Sequence, residues 1–322
     1  METQRASYRV PRAHGPRVAV IGGGHGLSTM LRGLKQYTEN ITAIVTVTDD
    51  GGGSGMLRQD LGMLPPGDIR NCMEALANTE PVMRELLHYR FTEGSLAGQS
   101  FGNLFLAAMN GISDSFDQAV SRMSEVLAIT GRVLPVTTGD VQLEAEHPRA
   151  LPEAMTALRE ADMIVLGPGS LYTSIIPNLL VEGIVEAIVD SDALKVYVCN
   201  VMTQEGETEG YSVGDHISAL FQHGAPGLFD ICLTNSSPIP KAVAARYAQE
   251  GAEPLLCPAE CRSIQGVEIL RRPVSTVENG YVRHNPGHLA RELILLHAER
   301  SVRIAGNRFN FREDTYQVEE KR

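Results

Sequence analysis

Two glycine-rich segments follow apolar, strand-like runs, and each could bind a phosphate group. The first glycine loop, residues 22–26, reads GGGHG after RVAVI, and the second glycine loop, residues 167–170, reads GPGS after ADMIVL. The first backbone amides of a helix lack partners and lie at the positive end of the helix dipole, so such turns attract anions. One glycine turn is common in α/β proteins. Two of them predict a crevice that binds a phosphorylated ligand at the carboxyl edge of a sheet.

The first glycine loop fits the dinucleotide fingerprint Gly-x-Gly-x-x-Gly imperfectly. Gly22 and Gly24 match its first two positions, but Leu27 stands at the third. The frame that starts at Gly24 ends on Thr29 instead. The pattern therefore favours phosphate binding over a standard NAD site, and a plain turn stays open. His25, the one bulky residue of the loop, is either a ligand contact or a solvated side chain.

Two adjacent carboxylates, Asp49 and Asp50, end the β-branched run 41–47 and precede three glycines. They could form an Asx-type turn, which is a purely structural role. They could also bind ligand hydroxyls or Mg²⁺ at the crevice. Their pairing and their place at a strand end coincide, so the sequence favours the second interpretation. Asp49 and Asp50 would be catalytic residues only if the protein is a transferase, and the sequence indicates no other catalytic residue.

Further polar residues stand at predicted strand ends and helix starts, where one crevice would collect them. Asp68 and Asn103 can equally be helix caps. Cys257 and Cys261 lack a nearby third ligand, which favours a structural role over a zinc site. Besides Asp49 and Asp50, the candidate ligand contacts are Gly22, Gly23, Gly24, His25, Gly26, Asp68, Asn103, Gly167, Pro168, Gly169, Ser170, Thr173, Asn178, Asn200, Thr203 and Asn235.

Strand and helix patterns alternate along most of the chain, which predicts an α/β fold of the Rossmann-like, doubly wound type with a mostly parallel sheet. We expect a single domain over residues 17–311, with a helical insertion over about residues 66–130. Residues 1–16 are predicted to be a flexible tail, and residues 312–322 a polar C-terminal tail.

The composition narrows the class of protein. The 322 residues are 43% hydrophobic and carry a net charge of −11, which argues against a nucleic acid partner. No apolar run reaches the length of a membrane span, and the N-terminus lacks the apolar core of a secretory signal. The five cysteines are odd in number and mostly stand in apolar runs. They predict reduced thiols and a cytoplasmic protein.

Six segments together resemble the gluconeogenesis factor family, which is related to 2-phospho-L-lactate transferase and its CofD-like fold. They are GGGHGLSTMLRGLK, NITAIVTVTDDGGGSGMLR, GMLPPGDIRNC, GQSFGNLFLAAM, ADMIVLGPGSLYTSIIPNLLV and KVYVCNVMTQEGETEGY. The resemblance, which runs over about residues 17–310, implies a cytoplasmic regulatory protein that binds a nucleotide sugar of the UDP-N-acetylglucosamine type. It implies a role in growth and cell shape on gluconeogenic carbon sources, through the supply of cell-wall precursors. By motif, it also implies ligand contacts at Tyr247 and Arg283.

The sequence departs from this family at one place. Only His147, Pro148 and Arg149 stand where relatives usually carry a few tens of residues more, so any contact made by that segment is in doubt. Two alternatives to a binding protein stay open. One is a transferase that moves a phosphorylated group from a nucleoside diphosphate carrier, with Mg²⁺ at Asp49 or Asp50. The other is a NAD-binding protein. The sugar, a protein partner and a homo-oligomeric state also stay open.

Overall fold

A computed structural model describes residues 12–48, 51–139 and 148–316, with side chains as far as Val302. Asp49 and Asp50 lie outside the described residues. So do most of the predicted N-terminal tail and residues 317–322 of the predicted C-terminal tail. The short connection around His147 is described only from Pro148 onward.

Ten strands and twelve α-helices make up the described part of the chain. The strands are β1 Val18–Gly22, β2 Ile41–Val45, β3 Arg132–Pro135, β4 Met163–Leu166, β5 Leu194–Val198, β6 Ile231–Asn235, β7 Ser263–Ile264, β8 Val267–Arg272, β9 Ser275–Glu278 and β10 Tyr281–His284. The helices are α1 Gly24–Leu34, α2 Gly52–Leu61, α3 Gly67–Leu76, α4 Pro81–His88, α5 Phe101–Gly111, α6 Phe116–Val126, α7 Pro152–Glu160, α8 Ile176–Leu179, α9 Ile184–Val189, α10 Val213–His223, α11 Lys241–Gln249 and α12 Pro286–Tyr316.

Eight strands form one sheet in the order β3-β2-β1-β4-β5-β6-β8-β7. All of its neighbours pair in parallel except β7 with β8. The first six positions follow the strand order of a doubly wound dinucleotide-binding fold, which reverses direction between β1 and β4. The predicted α/β, Rossmann-like fold with a mostly parallel sheet is therefore confirmed.

The central strands are buried on both faces, as a parallel sheet requires. Every residue of β1, β2, β4 and β5 is buried. Two groups of helices flank the sheet: α1 packs against α3 and α12, while α7 contacts α9, α9 contacts α8 and α8 contacts α10. Helices α3 to α6 lie between β2 and β3, within the predicted insertion over residues 66–130.

Several elements differ from the sequence-based expectation. Helix α1 begins at Gly24, inside the first glycine loop. Helix α2 was not expected, because its sequence GGSGMLRQDL is rich in glycine, which disfavours helices. Strands β7 to β10 were also not expected: β7 is only two residues long, β8 and β9 show little alternation between buried and exposed positions, and the alternation in β10 extends over only four residues.

Two further features concern the surface. None of the helices within residues 12–48, 51–139 and 148–316 is long and apolar enough for a membrane crossing.

A cavity of about 290 Å³ opens near Arg17, Asn40 and Arg132. These residues stand at or just before the amino ends of β1, β2 and β3, so this cavity lies on the edge opposite to the glycine loops.

Candidate functional site

The two glycine loops meet at the point where the strand order of the sheet reverses. Strands β1 and β4 are adjacent and in register, with Ile21 paired to Leu166, so both loops leave the sheet at the same edge. The Gly167 amide donates to the Ile21 carbonyl at 2.9 Å. A Cβ atom added at Gly26 would lie 2.6 Å from the Pro168 carbonyl oxygen. Glycine at position 26 therefore lets the two backbones come into contact at this edge of the sheet.

The first glycine loop leads directly into α1, so the amides of the first helical turn face the crevice edge. Gly24 has a φ of +66°, a left-handed conformation that favours glycine. A Cβ at Gly23 would lie 2.3 Å from the Asp68 carboxylate. Asp68 is buried in the first turn of α3, so this candidate residue does border the loop.

Arg70 lies one turn into α3 and brings a positive charge to the site. It was not among the residues predicted from the sequence. Its guanidinium donates to Asn103 Oδ1 at 2.8 Å, to Glu74 Oε1 at 2.6 Å and to Asn71 Oδ1 at 2.8 Å. Its side chain is only 12% exposed. Asn103 was predicted to be a helix cap or a ligand contact. In the structure Ser100 caps α5, and the buried Asn103 orients Arg70.

The pKa of His25 is affected by the positive charges around the first glycine loop. Burial lowers its pKa below the ordinary value, and the charges of Arg283, Arg70 and Arg32 lower it further. The imidazole is therefore neutral at pH 7, although its side chain reaches the surface. Arg283 stands on β10, far along the chain from this loop, so the fold brings it near the glycine backbone. The three arginines outnumber the opposing Glu74 among the charges that act on His25, and the helix start with these cations suits an anionic ligand.

The second glycine loop is held by Asn200, which follows β5. The Gly169 amide donates to Asn200 Oδ1 at 3.3 Å, and Asn200 Nδ2 donates to the Gly169 carbonyl at 2.8 Å. The peptide bond between Gly167 and Pro168 is cis. Asn200 is thus a support of the loop through its whole amide group.

A carboxylate of the chain itself already binds the amides that follow the second glycine loop. Glu207 accepts from the Tyr172 amide at 2.8 Å, from the Thr173 amide at 3.2 Å and from Ser170 Oγ at 2.7 Å. These donors begin the helical segment that a π-turn over residues 171–175 opens and α8 continues. Phosphate binding was predicted at residues 167–170, and Thr173 was a candidate ligand contact; the amides that Glu207 binds directly follow that loop. Glu207 therefore stands where an anion is expected, at a helix start.

Asn178 connects the first glycine loop to the helical segment that follows the second glycine loop. It is fully buried, and its Nδ2 donates to the Ser174 carbonyl at 2.7 Å and to the Gly22 carbonyl at 3.4 Å. Thr48, after β2, approaches the same region through a hydrogen bond from its hydroxyl to the Thr173 carbonyl at 3.2 Å. Asn178 therefore supports the site by holding its backbone in place, and its buried side chain does not reach the surface where a ligand would bind.

Two candidates at other strand ends bond to backbone in their own surroundings. Thr203 Oγ1 accepts from the Glu253 amide at 2.7 Å. Asn235 binds Ser237 through both ends of its amide and also accepts from the Val274 amide at 3.3 Å. Both side chains are buried and fix loops at the carboxyl edge of the sheet.

The two residues carried over by resemblance lie on neighbouring elements. Tyr247 is on α11, and its hydroxyl accepts from the Val282 amide of β10 at 3.0 Å. Arg283 is the next residue of that strand and is exposed. Tyr247 and Arg283 are therefore adjacent parts of one wall, and Arg283 is the member of the pair whose charge acts on the first glycine loop.

Binding of a metal ion would need a cluster of side chains that could hold it. No group of three His, Cys, Asp or Glu residues within residues 12–48, 51–139 and 148–316 is arranged to hold a metal ion. Burial, and then a thiol contact with Cys261, raises the pKa of Cys257 to about 11, so this cysteine is a thiol at neutral pH. Asp49 and Asp50 lie outside the described residues, and Mg²⁺ binding there stays a prediction.

Arg70 and Glu207 are the residues that sequence reasoning missed. Arg70 stands two positions after Asp68 in the segment PPGDIRN, and an arginine just inside a helix start next to a candidate acid is a usable signal. Glu207 stands in the polar loop that follows Asn200. Nothing in its spacing indicates that it reaches the second glycine loop, 35 residues earlier at Tyr172.

Comparison with known proteins agrees with this architecture. The family described as "2-phospho-L-lactate transferase CofD" matches residues 18–149 and 139–275. The two matches overlap over residues 139–149. A crystal structure of a protein from Bacillus halodurans aligns with a TM-score of 0.82 at 42% identity, covering 87% of this chain and 99% of that one. A second structure from that organism, described as a UPF0052 family member, gives 0.79 at 41% identity, covering 86% and 99%.

Curated relatives carry the gluconeogenesis factor name. One from Thermoanaerobacterium thermosulfurigenes is 53% identical over 313 residues, covering 87% of this chain and 97% of the relative. One from Bacillus subtilis is 44% identical over 308 residues, covering 87% and 97%. The predicted resemblance is thereby confirmed. The chain belongs to the CofD family, and within it to the group of proteins named gluconeogenesis factor.

Proposed function

We propose that the protein binds a nucleotide sugar of the UDP-N-acetylglucosamine type and acts as a regulator without turnover. The observation that carries this proposal is the contact between the two glycine loops where the strand order reverses, with Arg70 and Arg283 acting on the first loop. Ligands of doubly wound folds bind in the crevice at such a reversal. Amides at the start of α1 and a guanidinium suit a diphosphate, because charge-assisted hydrogen bonds to phosphate are strong.

The contacts within the crevice indicate how the ligand would lie. Glu207 already accepts from the amides after the second glycine loop, so the diphosphate is assigned to the first loop and to Arg283. The Tyr247 ring, on the same wall as Arg283, is assigned to the uracil, which can stack on an aromatic ring. Neutral His25 can donate or accept a hydrogen bond beside the diphosphate.

The biological role follows from the relatives. The curated relatives are named gluconeogenesis factor, which supports a role in growth on gluconeogenic carbon sources. We propose that the protein acts in the cytoplasm on the supply of cell-wall precursors and so on cell shape. It would do so through a protein partner or as a homo-oligomer, because a regulator without turnover must transmit its bound state.

The family description favours one alternative, a transferase. In that case Asp49 or Asp50 would bind Mg²⁺, which would screen the diphosphate leaving group while the phosphorylated part moves to an acceptor alcohol. A NAD-binding function has less support. Leu27 is buried at the third position of the dinucleotide fingerprint, where NAD-binding folds carry a glycine that lets the helix pack closely on the strand.

Calorimetry on the full chain tests the binding proposal, with UDP-N-acetylglucosamine, GDP and NAD as ligands. We expect binding of the UDP-sugar, and a loss of about tenfold to a hundredfold for Arg283→Ala. Tyr247→Ala should lose roughly tenfold. Arg159→Ala on α7, an exposed arginine at a remote helix end, is the control and should bind normally. Failure of the unaltered protein to bind the UDP-sugar would overturn the proposal.

A separate assay distinguishes binding from transfer. The protein is incubated with UDP-N-acetylglucosamine and with glycerol as a model acceptor alcohol, with and without Mg²⁺. Release of UMP, together with the phosphorylated sugar joined to glycerol, is followed by chromatography. The regulatory proposal expects no release. Magnesium-dependent release that disappears in the double variant Asp49→Asn, Asp50→Asn would establish the transferase instead. If that variant binds the UDP-sugar normally and release is absent in every sample, the two carboxylates form only a turn.

A further inference from the structure

Tyr281 joins α11 to the strand that carries Arg283. The Arg246 guanidinium lies over the Tyr281 ring, 4.6 Å from its centroid, and the Arg283 guanidinium lies 5.2 Å from the same centroid. Tyr247 meets this ring edge to face, with 6.4 Å between the two centroids. Tyr281 is therefore the shared contact of two arginines and one tyrosine. We call these four side chains, Arg246, Tyr247, Tyr281 and Arg283, the Tyr281 cluster.

The strand that presents Arg283 is not part of the main sheet. Strands β9 and β10 pair only with each other, in a separate two-stranded sheet. Along β10 the residues alternate, with Val282 and His284 buried and with Tyr281 and Arg283 exposed on the same face. An exposed arginine has many rotamers. Because β10 lies outside the main sheet, no main-sheet strand is paired with it beside Arg283 to restrict them. Packing against the Tyr281 ring is the contact that can do so.

Helix α11 fixes the other side of this ring. None of its residues is fully buried, so it does not anchor itself through the hydrophobic core. Arg246 donates to the Gly280 carbonyl at the tip of the hairpin, and the Tyr247 hydroxyl accepts from the Val282 amide. The helix thus attaches to β10 on both sides of Tyr281. Its position and the position of the ring depend on each other.

We propose that Tyr281 is a positioning residue that holds the Arg283 guanidinium beside the first glycine loop. Its aromatic face does this, because a guanidinium packs on an aromatic ring by cation–π attraction and flat stacking. The hydroxyl is not required. That the held guanidinium serves to bind a diphosphate rests on the proposed function. The positioning itself does not.

The first test needs no ligand, because His25 reports where the Arg283 charge lies. The groups that act on the His25 pKa are Arg32 on its own helix, Arg70 and Glu74 on α3, and Arg283 on β10. The His25 pKa is measured by NMR of the imidazole signals, which a His25→Gln variant assigns. Arg283→Gln should raise this pKa, since it removes a positive charge. Tyr281→Leu should raise it in the same direction, and Tyr281→Phe should leave it unchanged.

A double variant makes this test specific. If Tyr281 acts through Arg283, adding Tyr281→Leu to Arg283→Gln should not raise the His25 pKa further. Tyr37→Leu is the control, because Tyr37 is also exposed and lies outside the Tyr281 cluster. Circular dichroism melts identify any variant that fails to fold. A Tyr281→Leu protein that folds and keeps the His25 pKa of the unaltered protein overturns the inference, and so does an Arg283→Gln protein without a shift.

The second test measures binding of UDP-N-acetylglucosamine by calorimetry. Tyr281→Leu should weaken binding on the order of threefold to tenfold, and Tyr281→Phe should bind like the unaltered protein. Combined with Arg283→Gln, Tyr281→Leu should cost no more than Arg283→Gln alone. If neither the unaltered protein nor any variant binds the UDP-sugar, but the His25 pKa shifts as expected, the proposed function fails and the positioning inference stands. If Tyr281→Phe loses as much as Tyr281→Leu, the ring face is not the active element and the inference fails.

Discussion

Asn200 binds the backbone of Gly169 twice, at its amide N–H and at its carbonyl oxygen. The Gly169 amide donates to its Oδ1 at 3.3 Å, and its Nδ2 donates to the Gly169 carbonyl at 2.8 Å. A side chain that follows β5 thus fixes the backbone of the loop that follows β4. The orientation of the second glycine loop therefore depends on the neighbouring strand and not on the loop sequence alone.

Asn200→Ala should remove both hydrogen bonds and lower the free energy of unfolding by about 1–3 kcal/mol. Ligand affinity should also fall, roughly tenfold, because the rim of the crevice loses its orientation. Asn78→Ala is the matched control, since Asn78 Nδ2 also makes two hydrogen bonds, to Ala128 and Thr130, at a distant helix end. Denaturant melts and calorimetry should show a stability loss in both variants and a binding loss only in Asn200→Ala. Equal binding in both would contradict the role of Asn200 at the site.

Gly26→Ala should destabilise the protein although alanine is the better helix former. Position 26 lies in the first turn of α1, where alanine by itself gains up to about 1 kcal/mol. The new Cβ would lie 2.6 Å from the Pro168 carbonyl oxygen, however, so the two loops must separate. We expect a lower melting temperature and loss of ligand binding. Gly111→Ala in α5 has open space around its Cβ and should keep both. A Gly26→Ala protein with unchanged stability would show that the loops tolerate separation.

Glu207→Ala should expose an anion site that the unaltered protein fills by itself. The change frees the Tyr172 and Thr173 amides and costs about 1.5–3 kcal/mol of stability, the range for hydrogen bonds to a charged group. Inorganic phosphate should then raise the melting temperature of this variant in a concentration-dependent way, and much less that of the unaltered protein. Glu205→Ala, two residues earlier in the same loop, is the control. The same phosphate response in all three proteins would argue against a carboxylate-filled site.

Two buried histidines should make stability depend on pH below neutrality. Burial lowers the pKa of His216 and of His284 to about 4, against 6.5 for the ordinary side chain. Between these values the unfolded chain binds more protons than the folded one, so stability is full above pH 6.5 and falls as the pH drops toward 4. Each pKa unit corresponds to about 1.4 kcal/mol per histidine. His216→Gln should reduce the slope of unfolding free energy against pH by about one proton in denaturant melts between pH 7 and 4.5. An unchanged slope would contradict a depressed His216 pKa.

Local sequence was sufficient for the frame of this fold. Runs such as VAVIG and MIVL predict buried parallel strands because every residue in them is apolar or glycine, and the structure buries all of both. Glycine after each run predicts a tight turn into a helix, and that turn needs only the local backbone. Strands β9 and β10 escaped the sequence-based prediction, although the Asn279-Gly280 pair between them is a hairpin signal, and both residues have the positive φ of a tight hairpin turn.

The sequence by itself determined the parallel sheet, the two glycine loops and the candidate residues around them. Only the tertiary structure decided which of these residues support the crevice and which charges act on it. Glu207 reaches the amides after the second glycine loop, Asn103 orients Arg70, and Tyr281 holds Arg283. Each of these pairs except the last spans more than 30 residues. Even for Tyr281 and Arg283, spacing on one strand face does not reveal that the whole hairpin lies beside α1. Such contacts depend on how folded elements pack, and local spacing carries no record of them.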